Sequence, residues 1–396
     1  MRIERFETLA CDGGWRTYHF LKLVTDTGVV GWSEFDEGFG PPGLATVIGH
    51  YAEWLTGRDV HDHEAIRGTL AATARPAPDG LSGEALGAIE NALLDAKAKA
   101  LGVPVYDLLG GRHRDTVPVY WSHCASWRIN HPDPNAPAIT DLDGVRRAGA
   151  DAREQGFPAL KTNLFRYEGG RPHRWMPGFG APPAPGLNVD PPLIRDVLMH
   201  LEALRDGAGP DVELMLDINF NARTEGFLRL IRALDDVPLL WIELDVHNPE
   251  ALATIRRHSR HPIASLETLF GVRGFLPHLR AQAVDVAIVD AVWNGVWQAS
   301  RIAATAEAFD VNIAPHNFYS HLATFMNVHF AAATPNLRIM ETDVDRLAWD
   351  DELFTHVPEI ADGAMTVPDR PGWGTEPDEA ALRAHPPRPA GAYLGL

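Results

Sequence analysis

Cysteine is nearly missing from this chain, with only Cys11 and Cys124 among 396 residues. Two thiols so far apart make no disulfide framework, which excludes the small stapled scaffolds of secreted proteins. No stretch reaches the ~18 consecutive apolar residues of a transmembrane helix. The opening MRIERFETLACDGGWRTYHF has no apolar core of signal-peptide length. The expectation is a soluble cytoplasmic protein with no membrane partner. Lysine is scarce, four residues against 31 arginines, and no basic run occurs. With 53 acidic and 35 basic residues and a formal charge of -18, the chain repels phosphate backbones, so nucleic acid is excluded as a partner. The glycine fingerprint of open dinucleotide-binding sheets is missing as well.

What is present fits an ordinary globular protein, 45% hydrophobic and 22% charged. The length accommodates a barrel of ~250 residues and a second unit. Residues 20–34 alternate as a hairpin that turns near Thr27 and Gly28. Residues 83–101 form a helical pattern in which Ala88, Leu93, Leu94 and Ala98 share a face. From Val117 the rhythm becomes strand, helix, strand. Candidate strands cover 117–123, 158–163, 212–217, 238–243, 262–267, 284–290, 311–316 and 337–342, and helices fall at 191–205, 224–235, 249–259, 297–309 and 320–333. Apolar strands separated by helices predict a parallel sheet covered by helices, and eight of them suit a closed α/β barrel better than an open sheet. Residues 164–190, rich in Gly and Pro, read as one long loop over the active rim. The polar, Pro-rich tail from about 367 reads as a surface segment.

A ladder of chemistry-bearing residues follows these strands. Asp217, Glu243, Glu267, Asp290, His316 and Glu341 come at steps of 26, 24, 23, 26 and 25 residues. That is about one strand, one helix and their loops, and a parallel barrel gathers such strand ends on one catalytic rim. Asp217, Glu243 and Glu267 are the candidate metal ligands, because three carboxylates at neighbouring strand ends make a hard oxygen site suited to Mg²⁺. Asp290 beside His316 gives an oriented imidazole, the candidate general base. Lys161 can stabilise a carboxylate or a developing enolate. Glu341 can hold a hydroxyl or, if protonated, hydrogen-bond a substrate carboxylate. Asn163, Asn219 and His123 are candidate substrate contacts. A metal that binds a substrate carboxylate stabilises the dianion left when the α-proton departs. Return of that proton to a departing C3 hydroxyl is a dehydration that yields a 2-keto acid.

On these residues the chain resembles the enolase superfamily, in its mandelate racemase and muconate lactonizing enzyme group. GVVGWSE at 28–34 resembles that group's capping-domain hairpin, AIENALLDAKAKALGVPVYDLLGG at 88–111 its segment before the barrel, and PGWG at 371–374 its C-terminal return. The resemblance implies a modified (β/α)₇β TIM-like barrel with an α+β cap, Mg²⁺ as cofactor and a homo-oligomer. The expected division is a cap at 1–113, a barrel at 114–350 and a returning segment at 351–396. Asp217, Glu243 and Glu267 match the metal-ligand positions, Asp290 and His316 the dyad, Lys161 the first lysine of Lys-x-Lys, and Glu341 the acid at the substrate carboxylate. The chain departs from the pattern with Asn163 for the second lysine, Leu266 before Glu267 and Leu244-Asp245 after Glu243. Asparagine takes no proton at neutral pH, which disfavours a two-base racemase. The expected function is a Mg²⁺-dependent hydro-lyase of an acid sugar, an aldonate or aldarate, that forms a 2-keto-3-deoxy acid. The alternative is an epimerase, cycloisomerase or lactonizing enzyme working through the same enolate.

Overall fold

The structure, a computed structural model, describes residues 1–38, 40–75, 79–130, 136–180 and 187–388. Three antiparallel strands open the chain, β1 (Ile3–Asp12), β2 (Thr17–Thr25) and β3 (Val30–Phe35), in the order β1-β2-β3. The turn into β3 passes through Gly28 at φ 82, as its sequence suggests. Helices Leu44–Glu53 and Leu81–Leu101 pack against this sheet, and His63–Thr73 packs on Leu81–Leu101. Leu81–Leu101 lacks the single apolar face expected of it. It is buried nearly all round, Glu84, Glu90, Asn91 and Asp95 included, because it is clamped between the sheet and the barrel. The clamp is tight enough to require small residues on both partners. A Cβ on Gly31 would meet the Ala92 carbonyl at 2.1 Å, and one on Gly87 the Trp293 carbonyl at 2.3 Å. The buried polar groups dock this helix. Asn91 donates to the Ala291 carbonyl at 3.0 Å and accepts from the Val296 N–H at 2.8 Å, while Asp95 accepts from the N–H groups of Trp32 and Trp373 at 2.8 and 2.9 Å.

The remainder is a (β/α)₇β barrel. Its strands are β4 (Thr116–Ser122), β5 (Ala159–Thr162), β8 (Glu213–Asp217), β9 (Trp241–Glu243), β10 (Ile263–Ser265), β11 (Val286–Val289), β12 (Asn312–Pro315) and β13 (Met340–Asp343). Neighbours pair in parallel in chain order from β4 to β12. Strand β13 pairs with β4, and the bridge Ile313–Leu337 just ahead of it joins the last strand to β12. Helices lie in each expected interval, and others of ten residues or more lie at Leu142–Glu154 and Gly271–Arg280.

Two expectations change. The segment after β5 is not one loop: it contains a hairpin, β6 (Phe165–Glu168) with β7 (Arg171–Arg174), turned at Gly169 and Gly170, both at positive φ. Each strand is too short to show a period, so the Gly-Gly turn was the available signal. Residues 181–186 of that segment lie outside the described residues. The tail does more than run over the surface. It contributes β14 (Ile360–Ala361) and β15 (Ala364–Thr366), the latter antiparallel to β4. Trp373 is fully buried and donates its indole N–H to the Trp32 carbonyl at 2.8 Å, which ties the tail to the cap. Among the described residues no helix is long and apolar enough to cross a membrane.

Candidate active site

Barrel strands place their side chains alternately inward and outward, with period two. One inward layer is apolar: Tyr120, Ala159, Met215, Trp241, Ala264, Ile288, Ala314 and Ile339 pack together as a separate buried cluster. Two residues further along each strand come Ser122, Lys161, Asp217, Glu243, Leu266, Asp290, His316 and Glu341. The apolar layer thus plugs the barrel, and the next layer is almost wholly polar. Only β10 breaks the step. Leu266 sits at φ 94, in the region that L side chains avoid, and the carboxylate is on Glu267, one residue later.

Asp217 and Glu243 stand opposite each other in the β8–β9 register. Both are buried. Asn219, itself at φ 48, donates its backbone N–H and its amide to the two oxygens of Asp217, at 2.8 and 2.9 Å. It orients that carboxylate rather than reaching outward. Glu243 accepts on Oε2 from Lys161 at 3.0 Å and from the Trp241 indole at 3.2 Å, while its Oε1 is buried with no partner. Asp245, not foreseen as a site residue, turns into the same space. It accepts from Ser265 at 3.4 Å, lies close enough to Glu267 for the two charges to repel, and its Oδ2 is buried without a partner. Burial first, then mutual repulsion, raises these acids: Glu243 to about 7, Asp245 to about 6, and Glu267 well above the carboxylate range. Among the described residues no three such side chains stand together as a finished metal cage. The donor set nonetheless fits a hard divalent cation, since buried, unpartnered carboxylate oxygens in a crowd of like charge are what Mg²⁺ stabilises.

Lys161 is the counter-charge. It is buried, 3.0 Å from Glu243, 3.0 Å from Glu341 and 3.8 Å from Asp217. Burial disfavours its charge, but the three carboxylates outweigh that and hold its pKa well above the ordinary lysine value. Glu341 accepts from the Asn317 N–H at 2.8 Å and from the Ser122 hydroxyl. Burial would raise it, yet Lys161, His316 and His123 hold it well below the carboxylate range. An ionised Glu341 is an acceptor, suited to holding a hydroxyl.

His316 Nδ1 lies 2.6 Å from Asp290 Oδ2, and Asp290 also accepts from the Tyr319 hydroxyl and from the Trp293 N–H at 2.7 Å. Nε2 therefore faces the carboxylates, 3.6 Å from Glu267. Burial opposes the charge of His316, but Glu267 and then Asp290 raise its pKa to about 10. A cation on Glu267 would offset the larger of these charges and return the imidazole toward the range of a general base. His123 follows β4 and pairs with Asp343 at 2.8 Å. Asn163 is half-buried directly beyond β5.

Sequence reasoning thus missed Ser122, Asp245, Asn317, Tyr319 and Asp343. For Asp245 a signal existed in the unusual Leu244-Asp245 step; the others are ordinary polar residues until neighbouring strands place them.

Residues 13–110 match the mandelate racemase / muconate lactonizing enzyme N-terminal domain, and residues 144–381 match the enolase C-terminal domain-like family. The chain belongs to the mandelate racemase and muconate lactonizing enzyme group of the enolase superfamily. It is an enzyme of that group, and Mg²⁺ is its cofactor. Asp217, Glu243 and Glu267 are the candidate ligands for that ion, with Asp245 beside them. A D-galactonate dehydratase family member of Streptomyces bingchenggensis is 31% identical, over 96% of this chain and 92% of that protein. The D-xylonate dehydratase of Haloferax volcanii is 27% identical, over 96% and 87%. A crystal structure from Burkholderia xenovorans strain LB400, bound to magnesium and fumarate, is 58% identical over 99% of this chain and 98% of that one, with a TM-score of 0.97; that protein is named for L-alanine-DL-glutamate epimerisation.

Proposed function

We propose that this chain is a Mg²⁺-dependent acid-sugar dehydratase in which His316 removes the C2 proton of an aldonate or aldarate and the C3 hydroxyl leaves as water. The product is the 2-keto-3-deoxy acid. The observation that carries this reading is the one-sided base. His316 is oriented by Asp290, and position 163, where a second lysine would face it, holds an asparagine that takes no proton.

The residues divide the work as follows. Asp217, Glu243 and Glu267 hold the cation, which when bound supplies Lewis-acid stabilisation to the substrate carboxylate. Lys161 places a permanent positive charge beside the developing enolate, in a buried setting where such a charge is strongest. Asp290 fixes the tautomer of His316, so that Nε2 accepts the proton as the C2–H bond breaks. Glu341, anchored by Ser122 and Asn317, keeps Lys161 charged and in place. The carboxylate names of the relatives, galactonate and xylonate, support the substrate class.

A panel of aldonates and aldarates incubated with MgCl₂ and scored for 2-keto acid tests the reading. His316→Asn is expected to reduce product formation by ~10³-fold or more; unchanged formation in that variant refutes the assigned base. The name of the 58% identical relative favours a second reading, epimerisation through the same enolate. Deuterium entering C2 from heavy water with inversion, and no keto acid, would decide for it.

A further inference from the structure

We propose that His123 and Asp343 form a second proton-transfer pair, in which His123 protonates the oxygen leaving C3. The proposal rests on the dehydratase reading and adds to it the acid of the elimination.

The pair repeats the construction of the His316–Asp290 dyad. His123 directly follows β4, and Asp343 ends β13 opposite Ser122 in the parallel register. Asp343 Oδ1 lies 2.8 Å from His123 Nδ1, against 2.6 Å in the His316 pair. Ser122 stands 3.1 Å from the same nitrogen and hydrogen-bonds Glu341. Nδ1 is therefore committed, and Nε2 is the nitrogen left for a ligand. Two fully buried histidines, His329 and His200, are held differently. His329 uses both nitrogens on backbone, with the Tyr106 N–H at 3.2 Å and the Trp373 carbonyl at 3.1 Å. His200 uses both on Thr162 and Tyr167 at 3.0 and 2.8 Å. The His123 side chain keeps 15% of its surface open, and among the described residues its Nε2 has no hydrogen bond.

The backbone is shaped to present this ring. His123 and Ala125 lie at φ 52 and 67, conformations that non-glycine residues adopt only where the surroundings compensate. The turn is pinned by Cys124 N–H to the Lys161 carbonyl and Ser126 N–H to the His123 carbonyl, both at 2.8 Å. The His123 ring packs 4.2 Å from Trp127 and 6.3 Å from Phe318, and the Phe318 ring is 4.7 Å from His316. Two imidazoles, each backed by an aspartate, thus border one aromatic ring on either side of Glu341's strand. They face one substrate at two different atoms.

The step balances. The C2–H bond breaks and its proton goes to His316 Nε2; the electron pair forms the C2–C3 double bond; the C3–O bond breaks and takes the proton from protonated His123 Nε2, releasing water and an enol that tautomerises to the 2-keto acid by losing its hydroxyl proton and gaining one at C3. His316 ends one proton richer and His123 one poorer, and both re-equilibrate with solvent.

The test follows 2-keto acid formation and C2 hydrogen exchange in heavy water together, using the acid that the unaltered enzyme dehydrates and its 3-deoxy-3-fluoro analogue. Fluoride leaves without a proton, so it bypasses the acid. In His123→Asn, keto acid formation is expected to fall ~100-fold or more, while C2 exchange and fluoride release each stay within about threefold. Asp343→Asn, which keeps the imidazole, is expected to lose about tenfold in dehydration with exchange retained, as a positioning residue should. Loss of fluoride release and of exchange in step with dehydration in both variants, or dehydration unchanged in His123→Asn, overturns the proposal. If the unaltered enzyme exchanges C2 hydrogen yet eliminates from no acid in the panel, the dehydratase reading itself falls and the acid goes with it.

Discussion

Replacing Lys161 with methionine keeps the length and apolar stem of the side chain and deletes its charge. Lys161 is the cation that touches Asp217, Glu243 and Glu341, so the substitution leaves three buried carboxylates without it. Removing one partner of a buried ion pair costs about 3–5 kcal/mol, which for a chain of 396 residues is a fall of about 5 °C in the unfolding midpoint. The cost depends on pH in a definite direction. In the unaltered protein Glu341 is depressed by Lys161, so the stability it contributes is present above the ordinary carboxylate pKa and is lost as pH falls through its folded value. In Lys161→Met both Glu341 and Glu243 move upward, Glu243 from a value already near 7. Groups raised in this way give stability that is complete below the ordinary pKa and lost as pH rises through the folded one. The gap between the two proteins should therefore already be open near pH 5, where the Glu341 contribution is nearly complete, and widen further toward pH 8. Thermal unfolding of both proteins in chelator at the two pH values measures it. A gap under about 2 °C at pH 8, or one that is the same at both values, would refute the assignment of Lys161 as the charge that holds this site together.

Two further outcomes follow from the same structure. MgCl₂ at a hundredfold excess over its dissociation constant should stabilise the protein by about 2.7 kcal/mol, and Asp217→Asn and Glu267→Gln should each abolish the shift in a thermal melt; an undiminished shift in both would remove them from the ligand set. Glu34, on the cap strand β3, accepts from the N–H groups of Ser320 and Ala323 at the start of helix His321–Ala333, yet burial pushes its pKa up to about 7. Its stabilising contribution is complete below about pH 4.5 and lost up to pH 7, so the unaltered protein should lose about 3 kcal/mol relative to Glu34→Gln across that window, and stability curves that run parallel would show that Glu34 does not titrate there.

The barrel was legible because a parallel strand of four or five apolar residues ending in a single charge is a local pattern. Met215 to Asp217, Ile288 to Asp290 and Ala314 to His316 each state, within three residues, an apolar plug and a reactive group above it. The helix Leu81–Leu101 was legible as a helix but not as a clamp, since small residues such as Gly87 say nothing of the backbone they must approach until that backbone is present. The β6–β7 hairpin was hidden because four-residue strands carry no measurable period.

The sequence alone determined that a ladder of acids and one histidine follows successive strands, because strand period and strand length are set by neighbours in the chain. Only the tertiary structure decided how those groups pair. Asp343 meets His123 across 220 residues and Asp245 turns against Glu267. Lys161, one cation among three carboxylates, holds Glu341 ionised. Burial and the distance between charges set these pairings, and neither quantity exists until the barrel closes.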